Sequence, residues 1–102
     1  MLETFTLETF RRHVGEDFYV AAGQQTNLTV RLTSAADLSD KAVQDNRRTG
    51  RTPFSLLFHG PADTFIPQGT YTVRHQAMGE FPLFLVPLGP QDGHMRYEAI
   101  FT

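Results

Sequence analysis

Asp63 follows His59 by four residues within FSLLFHGPADTFIPQGTYTVRH, which runs from Phe54 to His75. An imidazole and a carboxylate this close can form half of a catalytic dyad, which then needs a nucleophile. None is at hand. Ser55 lies inside an apolar run, with no G-x-S-x-G elbow around it. The pair Gly60-Pro61 explains the break in the pattern without catalysis: glycine permits unusual backbone angles, and proline removes a ladder donor. His59 therefore reads as a strand-end residue, and a hydrolase using His59 and Asp63 is a third reading.

The remaining histidines are His13, His75 and His94. None of the four lies at H-x3-H or H-x-H spacing, so a zinc site would need the fold to gather three of them or add carboxylates. No metal and no cofactor is expected. His75 follows Arg74 at a strand end and reads as a surface residue. Glu16-Asp17 reads as a solvated turn, and Glu98 alternates onto the polar face beside Arg96, where cross-strand charge pairing explains it. Cysteine is absent, which excludes disulfides, thiolate nucleophiles and zinc-thiolate sites. No phosphate loop, dinucleotide fingerprint or calcium loop occurs. No catalytic residue is assigned, and the expectation is a protein that is not an enzyme.

The elements that position these residues are mostly strands. TLETFRRHVGEDF predicts one short helix, with Thr6 as N-cap and Gly15 as the left-handed stop. Leu7, Phe10 and Val14 share its buried face. From Asp17 the period becomes two. DFYVAA and NLTVRLTS form a hairpin, with Phe18, Val20 and Ala22 and then Leu28, Val30 and Leu32 inside. PFSLLFH places Phe54, Leu56 and Phe58 inside, and GTYTVRH does the same for Tyr71 and Val73. FPLFLVPL is apolar on both faces and reads as a doubly covered strand, with Pro82 and Pro87 at ends or bulges. GPQDG is a hairpin turn into HMRYEAIFT, where Met95, Tyr97, Ala99 and Phe101 point in. Six short strands and one helix predict a mainly β domain: a small antiparallel barrel or a two-layer sandwich. The helix would plug an open end or cover an edge.

The chain of 102 residues is one domain, spanning 1–102. Nine Phe and three Tyr supply much of the core, each buried ring removing roughly 150–250 Å² from water. The segment from Ser39 to Thr52 has almost no apolar content and reads as a mobile polar loop. Its Arg47, Arg48 and Arg51 are candidates for contact with an acidic partner. A net charge of −2 argues against nucleic acid as the partner. No stretch approaches the ~18 apolar residues of a membrane span, and the acidic N-terminus is not expected to act as a signal peptide.

Leu57, Phe84 and Val86 fall on the face opposite the predicted core. Contiguous apolar surface of this kind marks an interface, and an unpaired strand edge could serve likewise by strand addition. These three residues, with the three arginines, are the candidate interaction residues; a homo-oligomer is one possible outcome. The Phe-rich runs leave a second reading, a small barrel that binds a lipophilic ligand.

Several stretches resemble an uncharacterised bacterial domain family of about one hundred residues, often encoded beside phage-tail-collar-like proteins. They are Phe5-Thr6-Leu7 with Phe10 and Val14-Gly15, Pro53 to Phe58 with Gly60-Pro61, and Pro67 to Tyr71 with His75 and Gly79. Leu85 to Gly89 and Tyr97 to Phe101 complete the match. These residues are turns and strand cores, so the resemblance supplies no catalytic residue. It implies an accessory, structural or protein-interaction role in a phage-tail-like or surface assembly, with a tail-collar-like protein as partner. It also implies a location in the cytoplasm or in an exported tail-like particle.

Overall fold

Alternation along six strands closes into a barrel rather than a sandwich. The structure is a computed structural model that describes residues 6–22, 27–37 and 54–101. Helix α1 (Leu7–Arg11) precedes β1 (Asp17–Ala21), β2 (Asn27–Asp37), β3 (Phe54–Pro61), β4 (Gly69–His75), β5 (Gly79–Gln91) and β6 (His94–Phe101). The strands pair in the order β1-β2-β3-β6-β5-β4, and β4 returns to β1 to close the cylinder. Every pairing is antiparallel. Closure does not extend along every strand: from Gly79 to Leu85, β5 pairs with β4 alone, and its pairing with β6 begins at Val86, so part of a strand edge remains among the described strands. The polar loop at 39–52, with Arg47, Arg48 and Arg51, lies outside the described residues.

The period-two reading of the core holds. Phe18, Val20, Leu28, Val30, Leu32, Phe54, Leu56, Phe58, Val73 and all four inward residues of β6 are buried. Helix α1 begins as expected, with a capping box: Thr9 donates its backbone N–H to the Thr6 hydroxyl, and Thr6 donates to Thr9 Oγ1 at 3.1 Å. The helix closes one end of the barrel. Phe10 is wholly buried there, its ring centre 5.9 Å from that of Phe54, 6.1 Å from Phe81 and 5.4 Å from Phe101. Val14 does not share that burial. The helix stops at Arg11, its C-cap is Arg12, and the turn that follows leaves Val14 42% exposed. Gly15 does take the left-handed conformation, at φ +93°.

Three further local expectations change. Strand β5 is covered on one face only: Phe81, Leu83 and Leu85 are buried, while Phe84 is 48% exposed. Pro82 sits inside β5, opposite Thr72 of β4, and not at an end or bulge. It is tolerated because β5 pairs only with β4 at that level, its pairing with β6 beginning at Val86. Pro87 does border a bulge, between Pro87 and Gly89. The β5–β6 turn is narrower than GPQDG. Strand β5 runs to Gln91, and Asp92 and Gly93 turn at φ +54° and +81°, the geometry of a two-residue type I′ hairpin.

Candidate functional site

The outer wall of β3, β6 and β5 carries the most apolar exposed surface that sequence reasoning singled out. Glu98 of β6 lies in register with Leu57 of β3 on one side and Val86 of β5 on the other. All three are half-buried. Two residues further along β6 and back along β5, the side chains alternate outward again. Ile100 is 56% exposed and Phe84 48%. Leu57, Phe84 and Val86 therefore share one side of the barrel, on the face opposite the core.

The cross-strand charge partner expected for Glu98 is not there: its register neighbours are Leu57 and Val86. Arg96 turns to the β5 bulge, where Nη2 donates to the Leu88 carbonyl at 3.2 Å and Nε to the Gly89 carbonyl at 3.4 Å. The bulge exposes these carbonyls, and Gly89, at φ +100°, makes its geometry possible. Among the described residues Glu98 has no hydrogen bond or ion pair.

A second cluster, which sequence reasoning did not find, lies where α1 meets the barrel. Glu16 Oε1 accepts from His13 Nδ1 at 2.9 Å and from His75 Nε2 at 2.7 Å. His75 is a buried residue, not a surface one, with 4% exposure. Its ring packs 4.5 Å from Phe18 and 4.4 Å from His13. Its Nδ1 accepts the backbone N–H groups of Ala77 at 3.0 Å and Met78 at 3.2 Å. Those two donors place the His75 proton on Nε2, aimed at Glu16. Glu16 is exposed as the expected turn implies, yet it is bonded on one oxygen by two imidazoles. These bonds, first from His13 and then from His75, hold its carboxyl below the ordinary value of 4.5. The backbone reinforces the junction: Gly15 donates to the Leu32 carbonyl at 2.7 Å, and Leu32 to the Glu16 carbonyl at 3.1 Å. Asp17 receives Arg31 Nε at 3.3 Å.

His13, Glu16 and His75 present three potential metal-ligand atoms within 4.8 Å of one another. The surrounding bonds have the wrong polarity for a metal. A histidine that ligates through Nε2 normally donates its other N–H to an acceptor; His75 Nδ1 faces two donors instead. The cluster acts as a hydrogen-bonded clasp between the α1–β1 link and the β4–β5 turn.

His59 lies on the outside of β3, paired with Arg31 of β2 and Arg96 of β6. Its ring stacks on that of His94, 5.4 Å away at 27°. Asp63 is not joined to it; the Asp63 carboxylate accepts from the Thr64 hydroxyl at 3.2 Å. Gly60 serves space, not an unusual backbone angle. Its φ is not positive, and a Cβ there would meet Val30 Cγ1 at 3.2 Å and Tyr97 Cε2 at 3.3 Å. Inside the barrel, Phe18, Phe54, Phe58 and Tyr97 are fully buried. Open depressions bounded by described residues lie outside, one beside His13, Glu16 and His75, another beside Thr29, Arg31 and His59. No helix among the described residues is long and apolar enough to cross a membrane.

Residues 5–101 match the family model of DUF6916, a domain of unknown function, and the chain belongs to that family. No curated protein and no solved structure matches the chain.

Proposed function

We propose that the protein is a non-enzymatic interaction module whose docking surface is the outer wall of β3, β6 and β5. One observation carries this reading: Phe84 and Ile100 stand about half exposed on the same outer wall as the half-buried Leu57 and Val86, which no described element covers. An exposed apolar group of this kind, holding a large aromatic residue, fits a protein partner. The resemblance noted in the sequence implies a partner among phage-tail-like or surface assembly proteins, and a tail-collar-like chain is the first to test.

The test is affinity capture of the tagged protein from its native host at endogenous expression, with the Phe84→Glu variant run alongside. Stoichiometric recovery of an assembly protein by the native chain, and its loss with Phe84→Glu at unchanged fold, is the expected result. Equal recovery by both chains, or none by either, overturns the reading.

A further inference from the structure

The chemistry of the partner can be read from Glu98, given that this face is the docking surface. We propose that the face receives a segment presenting an arginine or lysine ringed by apolar side chains, with the cation set against Glu98. The Glu98 carboxylate stands between the apolar side chains of Leu57 and Val86, and no cation among the described residues forms an ion pair with it; a partner that covered this row would strip water from it, at a cost unless it brought a cation. Arg96, the one arginine or lysine of β6, is held by the carbonyls of Leu88 and Gly89. The attraction for an incoming cation strengthens as water leaves, because the local dielectric falls. Arginine suits the position better than lysine, since its guanidinium is more weakly hydrated and sits more readily among apolar groups.

The same carboxylate disfavours a second copy as occupant. A two-fold contact centred on this row would set Glu98 against Glu98, and like charges across an interface suppress that pairing. Phe84 and Ile100 then form the apolar border that excludes water around the ion pair, while the cation supplies selectivity.

The experiment is an amide-resolved NMR titration of the full chain with two synthetic peptides, acetyl-Ser-Leu-Arg-Leu-Ser-amide and its citrulline counterpart. Citrulline keeps the shape of arginine and removes its charge. The arginine peptide is expected to shift the amides of Leu57, Val86, Glu98 and Ile100, and to bind about five-fold or more tightly than the citrulline peptide. Glu98→Gln, with circular dichroism unchanged, is expected to erase that ratio, and raised salt to shrink it. Equal binding of the two peptides at this face overturns the charge-selective inference and leaves the docking surface standing. Absence of shifts at this face with either peptide, or a concentration-dependent dimer that covers it, overturns both.

Discussion

His75 and Glu16 stand 59 residues apart in the chain and 2.7 Å apart in the fold. The bond runs from a buried imidazole to an exposed carboxylate, so it ties the β4–β5 turn to the link between α1 and β1. His75→Ala removes that tie, the ring nitrogen that accepts the Ala77 and Met78 backbone N–H groups, and a ring packed on Phe18. The expected loss is about 2–4 kcal/mol of stability, measured by urea denaturation at pH 7. A loss within error of zero would show that the clasp contributes nothing.

Acid should open the same clasp. The Glu16 carboxyl is held below its ordinary value of 4.5 by the hydrogen bonds from His13 and His75. A depressed carboxyl contributes stability above its unfolded value and loses it as pH falls through the folded one. The stability gap between the native chain and Glu16→Gln should therefore narrow as pH falls below about 4.5. A gap that does not change between pH 7 and pH 3 would contradict the assignment.

Tyr97 pins the segment between β3 and β4 to the barrel. Its hydroxyl accepts the Ile66 N–H at 3.2 Å and donates to the Thr64 carbonyl at 3.3 Å. Tyr97→Phe leaves the buried Ile66 amide without a partner, for an expected loss of about 1–3 kcal/mol and faster hydrogen exchange at Ile66. Burial chiefly raises the Tyr97 hydroxyl above its ordinary value of 10.0, although the Ile66 N–H opposes it. An acid group raised by folding contributes stability below its unfolded value and loses it as pH rises through the folded one. Native and Tyr97→Phe chains should thus converge in stability above about pH 10. Retention of the full difference there would exclude this role.

Gly60→Ala tests close packing rather than backbone freedom. The new methyl group must displace Val30 or the Tyr97 ring, contacts at 3.2 and 3.3 Å. The expected cost is about 1–3 kcal/mol, read from the denaturation midpoint. A neutral or stabilising result would mean that the ring yields freely.

The strands and their inward faces were legible because that information is local, whereas barrel and sandwich stayed open until closure of β4 on β1 decided between them. Met95, Tyr97, Ala99 and Phe101 alternate with polar neighbours, and alternation alone assigns them inward. The clasp was not, because its partners meet only through barrel closure. A signal did exist for His75: it continues the alternation of Tyr71 and Val73, so parity alone assigned it to the inside. The outward placement of Leu57, Phe84 and Val86 was readable on the same grounds. Which strand would lie beside Glu98, and that Arg96 would turn away to the bulge, depended on a register shift that the sequence does not encode locally.

Zinc provides the sharpest check on the clasp. Ligation by His75 Nε2 needs its lone pair there and its proton on Nδ1, where the Ala77 and Met78 N–H groups already point. The contacts of 2.7 and 2.9 Å to Glu16 are also hydrogen-bond lengths; ligands about 2.0–2.1 Å from a tetrahedral ion stand roughly 3.3 Å apart. Zinc binding would thus require both the turn at 76–78 and the three side chains to rearrange. Excess zinc at pH 7.5 should leave the Tm within about 1 °C of its metal-free value, since a ligand stabilises only the state it binds. A rise of several degrees, abolished by His75→Ala, would show that the turn yields and that the cluster is a metal centre.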